Sequence, residues 1–370
     1  MDLDTLELAG PRLRLRPWRP SDAPRIVEAL ADPAIHEFIA LPRPYEESDA
    51  LTFIRDIAGR ARAEGIGLEC AVVEQASDRV IGSAGLRLRE DPEIGYWIAG
   101  DARGNGYAAE ATNVLSAWAF ETGQQRVRLA CDVRNLASVR TALAAGFRFE
   151  GVARNGVTSP GGGRVPPRRG DLARFARLPG DPAGPLPYAF PPLPADGLSD
   201  GVLQLRAMRA DDAQGWAETD DSLTLNWGFT GEPRDVAEVR RSAAQAGLHW
   251  LIGRAAVFAM IDVASGQFAG EVVLRHAGPP QVGGIGYVVH PDFRGRSYTT
   301  RALRLLVPWA FDVADFARLE LGAKPGNAAS LRAAANAGFD PDGTRERRMR
   351  NPDGTFADEI RYVLINPKYR

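Results

Sequence analysis

The chain carries one series of landmarks twice, and this repeat limits its fold more than any other feature. Asn135-Leu-Ala-Ser138, followed by Ala145-Gly-Phe147, returns 192 positions later as Asn327-Ala-Ala-Ser330 and Ala337-Gly-Phe339. Leu13-Arg-Leu-Arg16 returns as Leu203-Gln-Leu-Arg206, and the Asp22 that follows it returns as Asp212. Ile94-Gly-Tyr96 and Ile285-Gly-Tyr287 each lead into an Arg/Gly turn. Over all these landmarks the offset stays between 188 and 192 residues. A register held over so many features identifies a duplicated domain. The 370 residues then divide into two units of ordinary domain size.

The expected boundaries are residues 1–178 for the first copy, a Pro-rich connector at 179–198, and 199–370 for the second copy. Proline density from Leu178 to Pro194 forbids a helix there and favours an extended segment, which Tyr188 and Phe190 would pin to a domain surface. Ser159-Pro-Gly-Gly-Gly-Arg-Val-Pro-Pro167 reads as a loop near the end of the first copy, and Asn351-Pro-Asp-Gly354 as a hairpin turn in the second. Periodicity within each copy gives the order β-α-(α)-β-β-β-α-β-α-β-β. This is an α/β (α+β) domain with a mixed, mostly antiparallel sheet.

Composition narrows the function classes. A formal net charge of −2 gives no reason to expect nucleic acid or an anionic membrane as partner. The N-terminal MDLDTLELAG is acidic and lacks the apolar core of a signal peptide, and no run of about 18 apolar residues occurs. The two cysteines, Cys70 and Cys131, lie in apolar strand-like runs and read as buried thiols of a cytoplasmic protein. His36, His249, His276 and His290 never fall in ligand spacing with cysteine or carboxylate, so no metal site is expected.

The Arg/Gly turn carries the chemistry. In Arg103-Gly-Asn-Gly-Tyr-Ala108 the glycines let several amide N–H groups converge, and the following helix adds its own unpaired N–H groups and positive dipole end. A strand, such a turn and a helix make a seat for a diphosphate. With Leu13-Arg-Leu-Arg16, Ile94-Gly-Tyr-Trp97, Glu110-Ala111, Asn135-x-x-Ser138 and Ala145-Gly-Phe147 in order, the chain resembles the GNAT superfamily of acetyl-CoA-dependent N-acetyltransferases. It is most similar to the branch that acetylates N-terminal amines of ribosomal proteins. The resemblance covers nearly all of the first copy and most of the second.

That resemblance implies two tandem GNAT domains, each with a strand pair splayed to hold acetyl-CoA. The pyrophosphate would meet Arg103, Gly104, Asn105, Gly106, Tyr107 and Ala108, and in the second copy Arg294, Gly295, Arg296, Ser297, Tyr298 and Thr299. Ser297 and Thr299 replace Gly106 and Ala108, which would narrow the second seat or add a donor. The pantetheine arm would lie along Tyr96, Trp97, Ile98 and Ala99, or along Val288 and Val289, with Asn135 and Asn327 holding the adjoining loop.

Acetyl transfer needs a neutral amine and a proton for the leaving thiolate. The tyrosine that many members place seven residues after the motif Asn is absent, since Ala142 and Ala334 stand there. The N-terminal-acetylating branch that the chain resembles can instead use the serine of Asn-x-x-Ser, and the resemblance implies Ser138 and Ser330 as acids, although a first-turn serine more commonly caps its helix. Glu93 and Asp132 are the carboxylates nearest the expected cleft, and Glu110 would complement the helix dipole. Trp18, Tyr45, Trp97 and Trp118 read as core residues that could also shape an acceptor pocket. The expected activity is acetylation of a primary amine, on a peptide N-terminus or a small metabolite or antibiotic, by a monomer or homodimer. Two alternatives stay open: a tandem enzyme resembling mycothiol synthase with one active copy, and a CoA-binding module without catalysis.

Overall fold

The computed structural model describes residues 3–159, 168–182, 184, 190–228 and 232–369. The chain divides into two compact units, Met1–Pro187 and Tyr188–Arg370. The loop expected at Ser159–Pro167 falls, beyond Ser159, outside the described residues, as does Tyr188.

Alternation and β-branched runs produce eight strands in the first unit: β1 (Leu8–Ala9), β2 (Leu13–Pro17), β3 (Gly67–Glu74), β4 (Arg79–Arg87), β5 (Glu93–Ile98), β6 (Val127–Asp132), β7 (Arg148–Ser159) and β8 (Arg168–Arg177). They form one sheet in the order β1-β2-β3-β4-β5-β6-β8-β7. Every pairing in it is antiparallel except β5 with β6. Helices Ala23–Leu30 and Glu47–Thr52 cover one face, burying Ile26, Leu30 and Ala50 against Ala71 and Val73 of β3. The long helix Tyr107–Glu121 makes the crossover that a parallel pair requires.

The second unit repeats the plan with β9 (Leu198–Ser199), β10 (Leu203–Ala207), β11 (Ala256–Asp262), β12 (Phe268–His276), β13 (Val282–Val289), β14 (Arg318–Ala323), β15 (Asp340–Arg350) and β16 (Phe356–Ile365). The order is β9-β10-β11-β12-β13-β14-β16-β15, with β13 and β14 as the parallel pair. Its crossover helix is Tyr298–Asp312. The β15–β16 hairpin turns at Asn351–Gly354 as expected, with Gly354 N–H bonded to Asn351 O at 3.0 Å and φ of 83° at Gly354.

One matched pair explains why Asp22 and Asp212 recur. Arg16 forms two hydrogen bonds to Asp22 at 2.8 and 2.9 Å, and Arg206 forms two to Asp212, both at 2.7 Å. Each aspartate also accepts the amide hydrogen three residues before it, so it joins the first long strand of its copy to the helix that follows.

Described residues at both ends of the expected connector pack onto their own unit. Leu178 N–H bonds to Asp181, whose carboxylate also meets Arg148 at 3.1 Å. On the other side Phe190 is 1% exposed among Trp250 and Phe316, and Trp250 Nε1 donates to Pro191 O at 3.0 Å. Leu193 and Leu198 pack on the same core. Proline forbade a helix there, but it left apolar side chains free to enter a core.

Candidate functional site

In each copy the parallel pair is joined at one end only. β5 and β6 are in register at Glu93–Arg128 and Ile94–Leu129, and beyond Ile94 no residue of β5 pairs with β6. β5 nevertheless stays paired with β4 as far as Ile98. β13 and β14 pair from Val282 to Gly284 and then part, while β13 continues along β12 to Val289. The result is a V whose open arms are Tyr96–Ala99 and Val288–Val289 on one side. The expected splay is therefore present in both copies.

The Arg/Gly turn lies at the open end of the V. Gly104 and Gly106 have φ of +82° and +75°, in the left-handed region, and Gly106 caps the helix Tyr107–Glu121. A Cβ on Gly104 would meet nothing within 4 Å, so the space above the turn is open. Among the described residues no acceptor takes the amide hydrogens of Gly104, Asn105, Gly106, Tyr107 or Ala108. Converging, unpaired amides at the positive end of a 15-residue helix fit a diphosphate. Gly295 and Ser297 repeat the conformation at φ of +76° and +60°. Ser297 holds it without the freedom of glycine, at a backbone cost of about 1–2 kcal/mol. Arg296 and Thr299 complete this second turn, and the Arg296 guanidinium lies over the Phe293 ring, 4.9 Å from its centroid.

The turn arginines are braces. Arg103 donates to Ile98 O at 3.0 Å and pairs with Asp32 at 2.7 Å. Arg294 forms a bidentate pair with Asp221 at 2.6 and 2.8 Å and also donates to Thr224 Oγ1 at 2.9 Å. These bonds hold the Asp221 carboxyl well below the usual carboxylate range. Asp32 and Asp221 both cap short helices that follow the first helix of their copy, so each pair fastens the helical cover to the turn.

A second fastening escaped the sequence reading. Arg12 bonds Glu110 through both its backbone N–H and its guanidinium at 2.7 Å, and its guanidinium also reaches Asn105 O at 3.0 Å. In the second copy the charges are exchanged, with Asp200 accepting from Arg301 at 2.6 Å. Glu110 therefore does more than complement the dipole. The inverted signs at Glu110 and Arg301 were the available clue. Tyr107 and Tyr298 hydroxyls bond Glu74 and Asp262 respectively, tying each helix start to the neighbouring hairpin.

Across the V stand the Asn-x-x-Ser motifs. Asn135 and Asn327 are the N-caps of helices Leu136–Ala144 and Ala328–Asn336, accepting from Ser138 N–H at 3.1 Å and Ser330 N–H at 3.2 Å. The asparagines, not the serines, therefore cap these helices. Ser330 Oγ meets the Tyr287 hydroxyl at 2.7 Å, and the Tyr96 hydroxyl donates to Ser138 O at 3.4 Å. Both tyrosines lie on the open arm, and burial raises the pKa of both phenols. Removal of Asn135 (Asn135→Ala) should cost about 1 kcal/mol of stability. Ser138→Ala should leave the melting midpoint nearly unchanged while lowering acetyl turnover; an equal loss in both would return the serine to a structural role.

The two expected bases are separated. Glu93 lies at the closed end of the V, 3.7 Å from Arg87 and 3.8 Å from Arg128, so the structure does not bring it to the opening. Asp132 ends β6 and is 4% exposed, with both oxygens on Arg134. Its counterpart is Lys324, which is 2% exposed and donates to Asn226 O and Arg350 O at 2.7 Å. Burial pulls this lysine's pKa down. Trp18 stacks on Trp97 with ring centroids 6.4 Å apart, and Tyr45 packs into the same cluster; Trp118 is buried in the crossover helix. These aromatics are core residues, with Trp97 only partly covered. Burial pushes the Cys70 thiol up to about 11 and the Cys131 thiol up to about 12, which disables both as nucleophiles. Among the described residues no group of three or more potential metal ligands occurs, and no helix is long and apolar enough to cross a membrane.

YjcK, a probable N-acetyltransferase of Bacillus subtilis (strain 168), is 31% identical over 90 residues, which are 24% of this chain and 49% of the relative. The chain thus spans about half the length of that curated relative. Solved structures with a similar fold include the ribosomal-protein-S5-alanine acetyltransferase from Vibrio fischeri, at 21% identity and a TM-score of 0.40, covering 45% of this chain and 95% of that one. Another is Mycobacterium smegmatis RimJ in complex with CoA-disulfide, at 23% identity and a TM-score of 0.40, covering 46% and 86%. The family described as acetyltransferase (GNAT) domain matches residues 12–148 and again residues 203–340. Matched twice along most of its length, the chain belongs to the GNAT acetyltransferases and carries two copies of their domain in tandem.

Proposed function

We propose that the protein is an acetyl-CoA-dependent N-acetyltransferase that acts on a primary amine by direct attack on the thioester. The observation that carries this reading is the amide-lined turn facing the open end of the β5–β6 V. Unpaired amides from Gly104 to Ala108 receive the diphosphate. The free edge of Tyr96–Ala99 aligns the pantetheine amides as an added strand would. Asn135 fixes the loop on the other arm, and Ser138 supplies the proton for the departing thiolate. Acetyl-CoA itself contributes the activated acyl group.

The acceptor class is an amine that is partly neutral near pH 7. An α-amine, with a pKa of about 7.7–8.0, meets that condition far better than a lysine at about 10.4. Peptide or protein N-termini and small amine-bearing metabolites or antibiotics are the substrates this favours. The second copy repeats the V and turn with Ser297 in place of Gly106 and Lys324 in place of Asp132, so it serves as a second cosubstrate seat with different acceptor-side chemistry. Calorimetry of the full chain with acetyl-CoA, paired with a CoA-release screen over peptides with free N-termini and amine metabolites, tests the reading. Binding with release against at least one amine is expected. Absence of binding rejects the acetyltransferase reading.

A further inference from the structure

One carboxylate on the helix-covered face of the first sheet has no part in the roles above. Glu69, on β3, is half-buried and lies directly across from Gly85 on β4, which in turn lies across from Gly95 on β5. Residues directly opposite on neighbouring strands project to the same face. This row therefore contains one side chain and two glycines. The place that a Cβ on Gly85 would take is filled by the Glu69 carboxyl group. Gly95, one strand spacing of about 4.8 Å further on, is exposed, and a Cβ there would meet nothing within 4 Å.

Gly95 is also the first residue of β5 beyond the last parallel pair, Ile94–Leu129. The carboxylate thus reaches over a bare strand toward the apex of the V. The next row on this face is Ala71, Ser83 and the partly covered Trp97. Glu69 accepts no hydrogen bond from any described residue. Its charged neighbours are Arg87 on β4 and Arg62 on the helix Arg60–Ala63, with the Cys70 thiol beside it. Arg62 is committed to Leu3 O, Leu6 O and Cys70 Sγ, and Arg87 pairs with Glu93 at 3.7 Å. Burial outweighs both arginines and raises the Glu69 pKa above the ordinary glutamate range. A half-buried carboxylate without donors is costly to keep, and such groups concentrate where proton transfer is needed. In the second copy the same row is Val257, Val273 and Gly286, with no carboxylate.

We propose that Glu69 is the general base of the first copy, taking a proton from the acceptor ammonium at the point where β5 and β6 part. This assignment rests on the acetyltransferase reading. The ammonium proton passes to the Glu69 carboxylate, directly or through one water, and the freed lone pair forms the C–N bond to the thioester carbonyl carbon. The C–S bond breaks, its electron pair stays on sulfur, and the second amine proton goes to the thiolate by way of Ser138. Glu69 then returns its proton to solvent, so one proton is released per amide formed. The valine row leaves the second copy without this base.

The test compares wild type, Glu69→Gln and Gly85→Ala as full-length chains, using acetyl-CoA and the best acceptor of the screen. Glu69→Gln should lower kcat/KM by about 100-fold or more. It should also remove the acid limb that wild type shows as the carboxyl protonates, while acetyl-CoA affinity in calorimetry stays unchanged. Gly85→Ala keeps the charge but displaces the carboxyl group, and should lose turnover in parallel. Infrared difference titration of wild type should show a carboxyl with a midpoint above the ordinary glutamate range that Glu69→Gln lacks, beside the buried Glu271 carboxyl, which both chains keep. The native state keeps that proton where the unfolded chain has lost it, so stability falls as pH rises through this window. Glu69→Gln should therefore be at least as stable as wild type at pH 7. Wild-type turnover or an unchanged acid limb in Glu69→Gln overturns the assignment and leaves the acetyltransferase reading standing. A wild-type chain that binds no acetyl-CoA, or acetylates no amine in the screen, overturns both.

Discussion

Gly106→Trp is expected to abolish acetyl-CoA binding at the first copy while leaving its sheet folded. Gly106 sits at φ of +75° immediately before the crossover helix, where an L-residue costs about 1–2 kcal/mol. That is tolerable against a usual domain stability of about 5–15 kcal/mol. The larger effect is steric. The nearest atom to a Cβ at Gly106 is Arg12 Nη2 at 3.8 Å, so an indole enters the open space over the turn instead of a packed core. It then covers the amides of Gly104 to Ala108 and displaces Arg12 from Asn105 O. Calorimetry should lose one acetyl-CoA site relative to wild type, with a melting midpoint only a few degrees lower. An unchanged number of sites would place the diphosphate elsewhere.

Phe258→Ala is expected to destabilise the second unit by about 3–5 kcal/mol. Phe258 is 0% exposed on β11, with the Trp250 ring 5.0 Å and the Trp309 ring 5.5 Å from it. Those two tryptophans come from the helices Val236–Leu251 and Tyr298–Asp312, so Phe258 fills the junction between both helices and the sheet. Trp250 is also held by Pro191 O, which limits how far the wall can collapse into the cavity. The measurement is the denaturant midpoint together with amide exchange across β11 and β12. As a control, Leu223→Ala, at a residue 47% exposed, should stay within about 0.5 kcal/mol. A loss at Phe258 no larger than this control would mean that the junction repacks.

Most of the fold was legible because it rests on local patterns that occur twice. Leu13–Arg16, Ile94–Tyr96 and Asn135–Ser138 each report a strand or a helix start, and the repeat at 203, 285 and 327 removed chance as an explanation. The turn was equally legible, since glycine at positive φ is a property of single residues. Ser297 shows the limit of that logic: it adopts the same left-handed conformation without being glycine, because strand and helix on either side dictate it. The core position of Phe190 was not legible, because proline content reports backbone conformation and says nothing of where an apolar side chain packs.

The surroundings of the candidate acids and bases depend on neighbours distant in sequence. Ser138 competes with Asn135 for the same cap, and only the three-dimensional turn shows that Asn135 takes it. Glu93 precedes the Ile-Gly-Tyr motif, yet parallel pairing with Arg128 puts it at the closed end of the V. Glu69 carries no motif and drew no notice in the sequence.

The amino-acid order alone was sufficient to establish two tandem copies of one α/β domain, a glycine turn before a helix in the first, and the inequality between Gly106 and Ser297, because periodicity, glycine and repeat spacing act over a few residues at a time. Tertiary structure alone decided which carboxylate lies over Gly85, which charges brace the turn, and that Phe190 enters a core. Those outcomes depend on strand register and on side chains brought together from β3, β4 and β5, and a single sequence does not record such a register.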